Sequence, residues 1–306
     1  MISRTRSAIF VSIKDSNYFT VKQKFVYSLG LIFSITFLSI SATLALEPPT
    51  KEQIEQYKKD GTWEQRVQAA YGFGNHIMDP ELVQRLNYKL HYLYLQSQGI
   101  SAREIESSLA PPPAWQGMPS TGAVNIFVLL IEFNDKLHIS PADDQPSVDT
   151  KVFDPENTGS GSYPYESLKA YYQRTSYNLL NFQGATLGWY KTAYNRSTVS
   201  ETQTGRENLL KEALNTFNSS HDFSVYDNDG DGDIDYFAVI WTGEHGAWAT
   251  FWWGYQTWFS DGSYVLDGKT LGKYSWQWES YYWPSGLFSP LVLIHETGHA
   301  LGLPDY

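Results

Sequence analysis

Two histidines four residues apart, His295 and His299, with Glu296 beside the first, are the residues whose spacing most directly implies chemistry in this chain. On a helix, positions i and i+4 lie one turn apart on one face, so the two imidazoles aim at one point. Zinc accepts neutral imidazole nitrogen and carboxylate oxygen in tetrahedral geometry, and three protein ligands leave the fourth position for water. The metal lowers the pKa of that water from ~16 toward ~7, and Glu296 is placed to accept its proton. Gly302 lets the chain leave the helix sharply and Pro304 stops the helix from resuming, so Asp305 can swing back as the third ligand. The expected site is therefore Zn2+ on His295, His299 and Asp305, with Glu296 as catalytic base. The competing reading is a surface helix with two solvated histidines.

A second cluster is of a different kind. Residues 227–235 read DNDGDGDID, which sets Asp227, Asp229, Asp231, Asp233 and Asp235 at loop positions 1, 3, 5, 7 and 9, with Gly232 at 6 and Ile234 at 8. That is the pattern of a calcium-binding loop, and five like charges so close repel one another without a cation. Position 12 is Ala238 rather than a bidentate Glu, so a structural Ca2+ is expected and a helix–loop–helix sensor is not. A solvated acidic turn gives the same pattern. Glu244, His245, His221 and His138 are further possible ligands, although a lone histidine is more often an ordinary surface or core residue.

These side chains need a scaffold. A helix from about Pro290 to Leu301 carries the histidines, and its stripe of Leu291, Ile294, Gly298 and Leu301 can pack under a sheet. The apolar runs Ala123–Phe133 and Tyr236–Trp241 predict strands of a central sheet buried on both faces. Helices are expected over Tyr165–Arg174 and Glu207–Phe217, the second with apolar residues at i, i+3, i+4 and i+7. Upstream, Asp79-Pro80 caps a helix whose Leu82, Leu86, Leu90 and Leu93 form one stripe, and Ser101 with Glu104 makes a capping box before Pro111-Pro112-Pro113. This segment, residues 46–118, reads as a removable pro-segment or as an ordinary helical subdomain. The aromatic run from Trp248 to Trp283 fills a core or lines a cleft wall.

Composition limits the rest. The chain has 306 residues and a net charge of −11, which argues against nucleic acid or anionic lipid as partners through bulk charge. Its 42% apolar and 16% aromatic content excludes a disordered acidic tail. Without cysteine, any metal must be held by His, Asp or Glu, and no disulfide can brace the fold. Residues Phe25–Leu46 carry no charge, follow Lys22 and Lys24, and end in small residues at Thr43 and Ala45, the layout of an export signal. Residues 1–45 are expected to be removed, so the membrane matters only during export and the product is secreted. The alternative is an uncleaved anchor, since the run is long enough to span a bilayer.

From about Val124 to Tyr306 the chain resembles the immune inhibitor A type of secreted zinc metallopeptidase, peptidase family M-six. The resemblance rests on HETGHALGLPDY at the end of the chain, on YYQRTSYNLLNFQG from Tyr171 to Gly184, and on DGDGDIDYFAVIWTG from Asp229 to Gly243. It implies an α+β, metzincin-like catalytic domain over residues 119–306, made as a secreted precursor. It also implies a zinc endopeptidase acting on proteins or peptides, with His295, His299 and Asp305 as ligands and Glu296 as base. Such enzymes continue past the motif into a second subdomain with a methionine-containing turn. This chain stops at Tyr306, and Met1, Met78 and Met118 all lie upstream. The expectation is thus a catalytic domain lacking its C-terminal subdomain, unstable or inactive in isolation. The rival from another class is a catalytically inactive, calcium-stabilised surface binding protein.

Overall fold

The computed structural model describes residues 49–154, 166–279 and 286–305. The expected export signal at 1–45 and the aromatic residues Tyr281, Tyr282 and Trp283 lie outside them. Among the described residues the fold is α+β, with six strands and eight helices. The helices are α1 Lys51–Lys59, α2 Trp63–Phe73, α3 Pro80–Ser97, α4 Ala102–Ser108, α5 Gln145–Phe153, α6 Leu168–Thr175, α7 Gln203–Phe217 and α8 Leu291–Ala300. The strands are β1 Gly122–Glu132, β2 Leu180–Lys191, β3 Asp233–Trp241, β4 Tyr255–Trp258, β5 Val265–Leu266 and β6 Lys269–Trp278. None of these helices is long and apolar enough to cross a membrane.

The sheet runs β2-β1-β3-β6-β4, with β5 paired to β6. The first four strands are parallel, and β4 runs antiparallel to β6 at the edge. Successive strand residues face opposite sides, which explains why β1 and β3 read as unbroken apolar runs. Val124, Ile126, Val128 and Leu130, with Tyr236, Ala238 and Ile240, pack toward α5, α6 and α8. Phe127, Leu129, Ile131 and Phe133, with Phe237, Val239 and Trp241, pack toward α7 and the aromatic run. Both faces being covered, every side chain from Ile126 to Ile131 is fully buried.

The aromatic run lies mainly in this second layer. Trp248, Trp252, Trp253, Trp276 and Trp278 are buried there, while Trp258 is 53% exposed. Helices α1 to α4 belong to the same compact unit as the sheet. Trp63 stacks on Trp248 at 5.6 Å, Phe73 on Tyr255 at 4.1 Å, and Arg66 Nη1 donates to the Trp248 carbonyl at 2.8 Å. The capping boxes at Thr50 and Ser101 and the Asp79 cap of α3 are all formed. The stripe on α3 is largely uncovered. The helix buries no residue, and Leu86, Leu90 and Leu93 face solvent at 40%, 65% and 48% exposure.

Candidate metal centre

Helix α8 is placed by apolar contact and by polar bonds to two neighbours. Leu293 and Ala300 are buried in the layer beneath the sheet, where removing a Leu side chain from water is worth about 1.5–3 kcal/mol. Thr297 Oγ1 donates back to the Leu293 carbonyl at 2.7 Å and lies 3.0 Å from the Tyr236 hydroxyl on β3. From α6, the Tyr172 hydroxyl donates to the Ile294 carbonyl at 2.8 Å. The rotation of the helix about its axis is thereby fixed, and with it the direction of His295 and His299.

The helix ends as the sequence requires. Gly302 has φ +87°, a left-handed conformation costly for a residue with a Cβ. Leu303 N–H then donates to the Gly298 carbonyl at 3.0 Å, and Gly302 N–H to the His299 carbonyl at 2.9 Å. The turn brings Asp305 back beneath the histidines. Asp305 Oδ1 is 2.9 Å from His295 Nε2 and 3.1 Å from His299 Nε2, and the two Nε2 atoms are 3.2 Å apart.

Three donors so arranged fit a small dication. Ligands bonded tetrahedrally at ~2.0–2.1 Å stand about 3.3–3.4 Å from one another, so the three separations need open by only a few tenths of an ångström. The supporting bonds agree. His299 Nδ1 lies 2.8 Å from the Leu303 carbonyl, which assigns the ring proton to Nδ1 and leaves Nε2 with a free lone pair. Asp305 Oδ2 is buried without a hydrogen-bond partner. Both Glu296 oxygens are buried likewise; the Gln256 main-chain N–H faces that carboxylate without closing a bond of normal geometry. Orphaned buried acceptors are costly unless something absent from the protein chain satisfies them.

Electrostatics point the same way. Burial raises the Glu296 pKa above its ordinary value, against the opposing pull of the imidazoles, as suits a proton-accepting and proton-returning carboxyl. Burial is the largest single influence on His295 and His299 and opposes their protonation, but the hydrogen bonds to Asp305 and the charges of Glu296 and Asp305 together outweigh it, so both are raised; Asp305 is lowered by its bonds to the two imidazoles and by their charges, against its own burial.

Residues that sequence reasoning passed over complete the centre. Asn75, between α2 and α3, accepts the Asp305 N–H on its main-chain oxygen at 3.0 Å. With its carboxamide nitrogen turned toward the Gln256 and Phe73 carbonyls (3.1 and 3.2 Å), its oxygen receives the Gln256 N–H at 3.2 Å. Asn75 thus bonds both main-chain groups of a residue on the edge strand β4. Asp79 N–H donates to the Gly302 carbonyl at 3.0 Å, and its carboxylate pairs with Lys273 at 3.2 Å. On the opposite side a cavity of about 760 Å³ lies between α6 and α8, reaching His295, His299 and Tyr172.

At the acidic loop, Asp227, Asp229, Asp231 and Asp235 gather with one oxygen each within 4.8 Å of the others. Asp233, expected among the ligands, does not join them: its carboxylate accepts from the Thr270 hydroxyl across the β3–β6 pair. Asp235 Oδ1 is buried and unpartnered, and burial pushes this carboxyl up to about 6. Lys269 already pairs with Asp227 at 2.6 Å.

The other possible ligands are occupied elsewhere. His138 bridges Glu132 (2.6 Å) and Asp144 (3.1 Å), His221 meets the Tyr226 hydroxyl at 2.7 Å, His245 bonds the Gly246 carbonyl, and Glu244 pairs with Lys136 at 3.1 Å. No protein-family model and no curated protein matches this chain.

Proposed function

We infer that the chain is the catalytic portion of a secreted zinc-dependent endopeptidase of the immune inhibitor A type. The observation that carries this reading is the convergence of His295, His299 and Asp305 to mutual separations of 2.9–3.2 Å beside the orphaned, buried Glu296. When bound there, zinc supplies Lewis acidity toward a peptide carbonyl and acidifies water. Glu296 takes the proton of the attacking water and returns it to the departing amine nitrogen, so one carboxyl serves both halves of the hydrolysis. An extended protein or peptide substrate pairs along β4, using the Gln256 N–H and carbonyl that Asn75 now holds.

That contact supports reading residues 46–118 as a pro-segment whose Asn75 and Asp79 sit at the centre until it is removed. The four gathered aspartates are read as a structural Ca2+ site, a cross-link that a chain without cysteine otherwise lacks. Export of the product follows from the signal-like residues 1–45.

The test is the protein extended beyond Tyr306, loaded with zinc and assayed on casein after limited proteolysis of the 109–118 linker. Glu296→Gln is expected to keep its zinc and lose ~10²–10⁴ in kcat. Undiminished hydrolysis by the variant refutes the assigned base. Zinc held with no turnover in either protein favours the inactive binding protein, and no anomalous signal between His295 and His299 in zinc-soaked crystals removes the metal reading altogether.

A further inference from the structure

Arg206, in the first turns of α7, is 5% exposed, yet it makes no ion pair among the described residues. Its Nε donates to the Tyr274 hydroxyl at 2.6 Å and its Nη1 to the Tyr255 hydroxyl at 2.5 Å, while Nη2 has no acceptor among the described residues. Burial pushes the Tyr274 phenol up to about 12 and raises Tyr255 as well, so both partners are neutral and the guanidinium charge stays uncompensated. Ring faces of Phe251, Tyr255 and Tyr274 lie 5.8, 5.3 and 5.7 Å from the guanidinium carbon, a partial offset only. A buried cation left in this state is expensive for the fold unless an anion joins it.

The space for an anion is present. A cavity of about 360 Å³ opens onto Arg206, at the lower end of the range for small-molecule sites. Thr202 and Gln203, the N-terminus of the 15-residue α7, line it and add the positive end of the helix dipole. Its walls are aromatic: Phe73 stacked on Tyr255 at 4.1 Å, Phe251, and the half-exposed Trp258. The one carboxylate in the lining, Glu201, is engaged by Trp252 Nε1–H at 2.9 Å.

We propose that this cavity binds a small organic monocarboxylate with an aromatic or flat apolar body, its carboxylate on the Nη2 side of Arg206 and its body between the aromatic walls. Two tyrosine hydroxyls fix the guanidinium in advance, so little side-chain freedom is lost on binding. The site lies on the α7 side of the sheet, whereas α8 packs on the other, and it does not depend on the reading of the zinc centre.

Isothermal titration of the full chain with phenylacetate tests this, with benzyl alcohol as the uncharged analogue and inorganic sulfate as the anion without an apolar body. Phenylacetate is expected to bind one to one, at least ~30-fold tighter than either control, as a charge-assisted bidentate contact implies. Arg206→Met is expected to cost at least ~10-fold. Because removing a buried arginine can unfold the protein, Ala69→Trp, which plugs the mouth from an exposed position on α2, provides the second variant; it should cause the same loss with an unchanged melting temperature. The proposal is overturned by equal affinity for acid and alcohol, by sulfate binding as tightly as phenylacetate, by undiminished binding in folded Ala69→Trp, or by no carboxylate binding at ~10 mM.

Discussion

The proposed zinc site makes a quantitative demand on Asp305. Its Oδ1 completes a triangle with sides of 2.9, 3.1 and 3.2 Å, and without it only two nitrogens 3.2 Å apart remain. Zinc bound to the native state and not to the unfolded chain adds RT ln(1 + [Zn]/Kd), about 4.1 kcal/mol at a thousandfold excess over Kd. For a chain of this size each kcal/mol moves the melting temperature by ~2–4 °C, so zinc should raise it by ~8–16 °C relative to chelated protein. Losing a supporting group around a metal costs 10–100-fold in affinity, and losing a ligand should cost at least the upper figure. In Asp305→Ala the same free zinc is then only about tenfold above Kd, worth ~1.4 kcal/mol and ~3–6 °C. Comparing the zinc-induced shift rather than the absolute melting point removes the effect of the two lost hydrogen bonds in the metal-free protein. Asp233→Ala, whose carboxylate is spent on Thr270, serves as control and should keep the full shift. An undiminished zinc shift in Asp305→Ala would refute the donor triangle as the reason for binding.

Glu279 gives a pH prediction. This buried carboxyl is pushed from 4.5 up to about 7 by burial, with Asp143 adding to the rise and the Ile139 N–H, His138 and Lys151 opposing it. A raised carboxyl contributes stability that is complete below pH 4.5 and lost as pH climbs through 7. Glu279→Gln, neutral at every pH, should therefore match the wild type near pH 4 and exceed it by up to about 3 kcal/mol at pH 8 in urea unfolding; a pH-independent difference contradicts the burial argument. Gly302→Ala should cost ~1–3 kcal/mol, since alanine is strained at φ +87° and its Cβ would stand 3.0 Å from Asp79 Cβ; an unchanged urea midpoint would count against the turn. Calcium at about a hundredfold over its Kd should stabilise the wild type by ~2.7 kcal/mol and Asp235→Asn by much less, and equal melting shifts would dismiss the aspartate cluster as a cation site.

What could be read from the sequence was what the chain settles locally. Helical spacing alone places His295 over His299, and Gly302 and Pro304 alone dictate the turn that returns Asp305. Strands β1 and β3 announce themselves because a central strand covered on both faces must be apolar throughout. The short strands β4 and β5, by contrast, owe their existence to pairing with β6, and nothing within four or two residues reveals a partner. Asn75 is invisible for the same reason, as its bonds to Gln256 and Asp305 cross most of the chain. The leucines of α3 obeyed the helical period but carried no information about whether anything would cover them. Asp233 fitted a loop pattern by count, while the Thr270 hydroxyl on the neighbouring strand, 37 residues on, engages its carboxylate.

The link between Asn75 and Asp305 also has a temporal meaning. One partner leaves the ribosome 305 − 75 = 230 residues before the other, and at ~5–20 residues per second this is a wait of roughly ten to fifty seconds. During that interval the early helices have no docking surface at residues 302–305, and the turn that returns Asp305 does not yet exist. A nascent polypeptide in this condition carries Asn75 and Asp79 without the main-chain partners that hold them, Asp305 and Gly302.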